Sequence, residues 1–352
     1  MDKFVCVRLI QANAIDLAVF QFDFDLTFAA FFLNADRTIY GRFGSRSDMK
    51  DAAREMSLEG FRSALASALE LHQKYPDNKA ALAGKQSPVP RFKTPAEYPS
   101  LAGKYRPSLD YEGQVMQSCL HCHQVREAER KFIRAELKTM PDEVLFPWPM
   151  PDALGLTFDP QQKARIKNVA RGSTAEQNGF GAGDEVSTIA GQPILSIADV
   201  QWVLHSAKAP TSLKAEVLRG GKRTPLVLTL AGDWRRKSDL SWRPTSWDLR
   251  RMATGGMRLE DLSAADRARL KLADSDLALR AIHVGQYNEH AAAKRAGFLK
   301  DDIIVSLDGQ SKRMTESDFL AYVLQSKPPG ARLPATILRG SERLILELPT
   351  QP

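Results

Sequence analysis

Five consecutive residues, Cys119-Leu120-His121-Cys122-His123, carry the most legible chemistry in this 352-residue chain. Cys-x-x-Cys-His is the spacing used for covalent attachment of a c-type haem. Two thiols three positions apart fall on one face of a helical turn, where each can add across a vinyl group of the porphyrin. The next residue, His123, can then offer its imidazole to the iron. The opposite side of the iron needs a second ligand. Met150 and Met140, lying downstream among prolines, lead the candidates, ahead of His72 and His121. Two other readings stay open. A Cys-x-x-Cys pair also serves thiol–disulfide exchange, where a neighbouring histidine lowers the thiol pKa. Cys119, His121, Cys122 and His123 could instead hold zinc, although ligands clustered this tightly seldom complete one tetrahedron.

The elements that position this motif belong to an α+β multidomain chain, long enough for two or three cores. Hydrophobic content of 43% and charged content of 26% are those of ordinary globular protein. The net charge of +7 is thinly spread and gives no nucleic-acid signature. No apolar run reaches the length of a membrane span. Haem attachment takes place outside the cytoplasm, so a periplasmic or extracellular location and a secretory leader are expected. Met1-Asp2-Lys3-Phe4 runs instead straight into Val5-Cys6-Val7-Arg8-Leu9, which reads as a buried strand with a buried Cys6 thiol. The haem reading therefore expects the true start upstream of Met1.

Residues 1–80 read as strand (4–10), hairpin (28–34 and 38–42, about Asn34-Ala35-Asp36-Arg37) and helix. Ser57 can N-cap that helix, with Leu58, Phe61, Leu65 and Leu69 on its apolar face. This order resembles the C-terminal half of a thioredoxin-like fold, without its active-site cysteines. Residues 81–110, rich in Pro, Lys, Ser and Gly, read as a linker. Residues 111–150 form a short helical segment holding the Cys-x-x-Cys-His motif and ending in the strap Phe146-Pro147-Trp148-Pro149-Met150-Pro151.

The rest of the chain repeats itself. Gly179-Phe180-Gly181-Ala182-Gly183-Asp184-Glu185-Val186 is answered by Gly297-Phe298-Leu299-Lys300-Asp301-Asp302-Ile303-Ile304. Val217-Leu218-Arg219-Gly220 is answered by Ile337-Leu338-Arg339-Gly340. A period this long means two copies of one domain. The repeat resembles the PDZ domain in the arrangement of the bacterial high-temperature-requirement proteases, at 151–232 and 255–350, with a Trp/Arg-rich linker at 233–254. The linker's tryptophans are expected to pack on the flanking domains while its arginines stay solvated.

The PDZ resemblance implies that each copy takes a peptide or protein terminus as an added strand, its carboxylate held by a loop of backbone N–H groups. By position that loop is Ala153, Leu154, Gly155, Leu156 and Thr157 in the first copy, and Gly256, Met257, Arg258 and Leu259 in the second, where an inserted helix spans 263–272. Helix residues Val200, Val203 and Leu204, and Phe319, Val323 and Leu324, would line the grooves, although helical apolar spacing alone cannot separate groove from core. No Gly-x-Ser-x-Gly or Gly-Asn-Ser-Gly-Gly elbow is present, so proteolysis by this chain is not expected. The expected function is an extracytoplasmic PDZ scaffold bearing haem c for electron transfer or redox sensing, with a redox partner protein. The alternatives are a thiol–disulfide oxidoreductase and a non-redox adaptor.

Overall fold

The computed structural model describes residues 3–46 and 55–352. Its helices are α1 (Leu58–Gln73), α2 (Lys79–Leu82), α3 (Val115–Ser118), α4 (Cys122–Leu137), α5 (Asp142–Leu145), α6 (Thr174–Gln177), α7 (Ile197–Ser206), α8 (Ser246–Thr254), α9 (Ala264–Arg269), α10 (Ala292–Arg295) and α11 (Glu316–Ser326). Its strands are β1 (Ala30–Leu33), β2 (Ile39–Phe43), β3 (Leu156–Phe158), β4 (Ile166–Val169), β5 (Glu185–Ile189), β6 (Gln192–Pro193), β7 (Thr211–Arg219), β8 (Lys222–Leu230), β9 (Met257–Asp261), β10 (Leu279–Val284), β11 (Ile303–Leu307), β12 (Arg332–Arg339) and β13 (Glu342–Pro349). The chain divides into two compact units, Met1–Ala128 with Phe146–Ser238, and Glu129–Leu145 with Asp239–Pro352. The helical segment expected at 111–150 is thus shared between them.

In the first unit the β1–β2 hairpin and α1 form as the sequence suggests. Ser57 caps α1, its Oγ accepting the Gly60 N–H at 2.9 Å. The buried face is the expected one only in part: Phe61 and Leu65 pack half-buried against the core, but Gly60, Ala64, Ser67 and Ala68 point fully inward and Leu58 is 83% exposed. Close approach explains this, because a Cβ on Gly60 would collide with the Pro160 carbonyl. The strand expected over 4–10 does not form. Val5, Val7, Leu9 and Ile10 are exposed, and so is Cys6. Of the thioredoxin-like order, only hairpin and helix are present, in a two-stranded sheet.

Residues 81–110 are not a free linker. Leu82 and Leu101 are buried in two different cores, and Lys85 is wholly buried in an ion pair with Asp199, 2.8 Å apart. Proline-rich chain can pack this way because its short helical turns at 79–85 and 95–97 satisfy part of its own backbone.

Residues 151–232 fold as β3–β4, the antiparallel sheet β6-β5-β7-β8, and α7 closing the core. In the second unit, β9 to β13 form one antiparallel sheet in the order β13-β12-β11-β10-β9, with α11 between β11 and β12 in sequence. The repeat extends to side-chain geometry. Arg219 Nη2 reaches the Gly179 carbonyl (2.7 Å) while its Nε bonds buried Asp184 (2.8 Å); Arg339 does the same to Gly297 (2.7 Å) and Asp302 (2.8 Å). Asp301, standing where the first copy has Gly183, adopts φ 71° against 89° for the glycine.

The 233–254 segment reverses the expected division of labour. Trp234 is buried, but Trp242 is half-buried and Trp247 exposed, whereas Arg235, Arg243, Arg250 and Arg251 are buried. Guanidinium groups, with five donors each, saturate carbonyl groups that would otherwise be stranded. Arg235 bonds the carbonyls of Leu204, His205 and Ala207 at 2.8 to 3.0 Å, closing the C-terminal end of α7.

Candidate functional site

The first candidate is the strand edge of β3 beside α7. A turn of 3-10 helix over Pro151–Leu154 ends at Gly155, whose φ of 85° suits glycine and whose N–H donates to the Asp152 carbonyl at 2.8 Å. A Cβ at Gly155 would run into the Ser173 side chain. Register then decides which backbone groups are free. Leu156 pairs with Val169, and Ala170 N–H donates to Gly155 O at 2.8 Å. Phe158 pairs with Ile166, whose own N–H is spent on Asp184 O at 2.8 Å. Alternation along the strand therefore turns the amides of Leu156 and Phe158 away from β4.

The side chains expected to line this groove sit mostly in the core. Leu154, Leu156, Val200, Val203 and Leu204 pack in one cluster with Ile166, Val186 and Trp234, while Thr157 is exposed. On α7 it is Gln201, Trp202 and His205 that meet other chain: Gln201 Nε2 donates to Trp148 O (3.1 Å), Trp202 Nε1 to Gly84 O (2.8 Å), and the His205 ring stacks on Trp148. In the second unit Met257, Leu259, Phe319, Val323 and Leu324 are likewise buried and Arg258 is exposed.

The second candidate is the Cys-x-x-Cys-His turn. The two thiols do not share a helical turn as expected. Cys119 is extended (φ −87°, ψ 119°), and Cys122 is the first residue of α4. Asn13, far away in sequence and buried, fixes the backbone on both sides of Cys119. It donates to Ser118 O (2.8 Å) and Arg106 O (2.8 Å) and accepts from Leu120 N–H (2.9 Å). Gln124 holds the other end, accepting the His121 N–H (2.8 Å) and donating to the Tyr105 hydroxyl (2.9 Å). A small core of Ala12, Leu17, Phe24, Leu101, Leu120, Val125 and Ala128 supports the turn, with Cys122 packed against it. Sequence reasoning missed Asn13 because one polar residue in a loop carries no periodic signal.

Both motif thiols are free and half-buried. Burial, and then the nearby Cys119, push the Cys122 thiol above its ordinary pKa. Burial, and then the His121 ring stacked on it at 5.6 Å, hold His123 below the ordinary histidine value despite Asp25. Both effects favour the neutral His123 ring, whose nitrogen lone pair can be donated. Met150 does not join this group. It lies in the core of residues 151–232, with Leu154 and Trp234.

A glycine-ended loop, then a strand, then a helix, in that order and register, are the parts of a PDZ domain. The family description "PDZ domain" matches residues 152–230. Over 194 residues the chain is 26% identical to the periplasmic pH-dependent serine endoprotease DegQ of Escherichia coli, covering 55% of this chain and 38% of that protein. It is 27% identical over 186 residues to a probable periplasmic serine protease do/HhoA-like of Haemophilus influenzae, covering 53% and 35%. The matches thus span little more than a third of the length of these relatives. Among solved structures, the HtrA-type protease AlgW with a tripeptide is 18% identical, with 40% of this chain and 52% of that one covered at a TM-score of 0.23.

Proposed function

We propose that this chain is a periplasmic peptide-binding scaffold built on a tandem pair of PDZ copies and carrying a covalently bound haem c. The observation that carries the peptide part is the edge of β3, where the Leu156 and Phe158 amides face away from β4 beside the Gly155 turn. An extended peptide docks on such an edge by strand addition, its terminal carboxylate taken at the loop that ends in Gly155, where the Leu156 amide faces outward. The likeness between the two copies at Arg219–Asp184 and Arg339–Asp302 supports the tandem reading, as does an aligned stretch of 194 residues, longer than one PDZ domain. The names of the relatives support a periplasmic setting. Their proteolysis does not carry over, because the serine elbow is missing from this sequence.

The Cys-x-x-Cys-His residues fit a haem. Cys119 and Cys122 are free thiols able to form the two thioethers, and His123 would offer its imidazole to the iron. Bound there, the haem would supply one-electron transfer or redox sensing toward a partner protein.

The peptide reading is tested in the full chain with fluorescein-labelled ten-residue peptides ending in an apolar residue and a free carboxylate. Gly155→Val should weaken binding at least about 10-fold, since both its φ and the Ser173 contact forbid a side chain. Undiminished binding would move the site elsewhere.

A further inference from the structure

We infer that the two copies are unequal: the strand edge of the second is closed by a latch from its own unit, which leaves peptide capture to the first. The inference rests on the peptide-binding reading given for the first copy. In the second, Met257 pairs with Val284 while Gly285 N–H donates to Gly256 O at 3.1 Å; Leu259 pairs with Ala281, whose N–H goes to Asp302 O at 2.8 Å. Met257 and Leu259 therefore turn their backbone groups away from β10, just as Leu156 and Phe158 turn theirs from β4. Here those groups are already occupied. Leu259 N–H donates to Glu316 Oε1 at 2.7 Å, and Met257 O accepts from Thr254 Oγ1 at 2.7 Å.

Glu316 is held in place by Arg250, Nε to Oε1 at 3.0 Å, with both side chains almost wholly buried. The same Arg250 accepts through its carbonyl from the Gly256 N–H at 3.0 Å, an amide of the loop assigned to carboxylate binding. Arg250, midway along α8, thus pins Glu316; its hold on the Gly256 amide has a counterpart in the first copy, where Gly155 N–H donates to Asp152 O, so Glu316 on the Leu259 amide is what sets the copies apart. A peptide carbonyl competing for the Leu259 amide would have to displace a charged acceptor, whose hydrogen bonds are about twice as strong as neutral ones.

Among the described residues the first copy shows no such latch. The helix caps Ser196 and Thr315 align α7 with α11, so that Ile197 stands at the position of Glu316. An isoleucine offers no acceptor to Phe158. Beside Glu316, a depression of about 310 Å³ lined by Asp239, Arg258, Leu259 and Thr315 would give a peptide room once the latch is removed.

The test is residue-resolved hydrogen exchange on the full chain, with and without an equimolar pool of ten-residue, free-carboxylate peptides. Glu316→Ile, which copies the first site, should speed exchange at Leu259 at least 10-fold without peptide, leave β12 unchanged, and let the pool protect Leu259. In the native chain the pool should protect Phe158 and not Leu259. Should Glu316→Ile loosen the unit, as β12 would report, Glu316→Gln serves instead. It keeps a weaker, neutral acceptor and should speed Leu259 a few-fold. Three results would overturn the latch: an unchanged Leu259 rate in the variant, protection of Leu259 by the pool in the native chain, or a freed edge that stays unprotected while Phe158 is protected. Failure of the pool to protect Phe158 at all would sink the receptor reading, and the peptide-free rate at Leu259 would still judge the latch.

Discussion

Lys85→Met is expected to destabilise the first unit by about 3–5 kcal/mol, the cost of leaving one partner of a buried ion pair unpaired. Lys85 Nζ and Asp199 Oδ1 lie 2.8 Å apart with essentially no exposure. Burial pulls the Lys85 pKa down and Asp199 opposes it, so the ammonium depends on that carboxylate. Asp199 also accepts the backbone N–H groups of Arg42 (3.2 Å) and Leu195 (3.0 Å), joining β2, the 79–85 turns and the start of α7. Methionine fills the space of the lysine stem and strands the charge. For a unit of this size the melting temperature should fall by on the order of 10 °C. A melting curve shifted by less than about 2 °C would show that water or local movement relieves Asp199.

The second large effect concerns the haem. Cys119→Ser combined with Cys122→Ser should abolish covalent attachment, because a hydroxyl does not add to the porphyrin vinyl groups as a thiol does. Protein made with a haem-maturation system in an exporting host should show a Soret band that survives acid–acetone extraction. The double variant should lose it, while Cys6→Ser, whose thiol is exposed on the unpaired 4–10 segment, should keep it. Native protein with no extractable-resistant band would remove the haem and leave the scaffold.

What the sequence made legible was local and repeated. Ser57 capping α1 and the hairpin about Asn34 each follow from the conformational needs of one turn. The internal repeat was legible because two divergent stretches kept the same Gly-Phe and Arg-Gly punctuation, and the first of them lies in the stretch that matches the PDZ domain. What stayed hidden depended on partners distant in sequence. The apolar alternation of residues 4–10 spells a strand, but a strand needs a neighbour, and none pairs with it among the described residues. Basic residues such as Lys85, Arg235 and Arg250 read as solvated, because the groups they satisfy come from other parts of the chain. At the candidate sites the same division holds. Cys119, Cys122, His123 and Gly155 could be picked by type and spacing. Asn13 and Glu316 act through single hydrogen bonds to backbone groups, which no spacing announces.

The most direct test of the central claim is a hydrogen-exchange footprint of the native full-length chain with the free-carboxylate peptide pool. Strand addition at the PDZ domain of residues 152–230 predicts slowed exchange at Leu156 and Phe158, lost when the same peptides are amidated at the C-terminus. Unchanged rates along β3, or slowing confined to other elements, would contradict it.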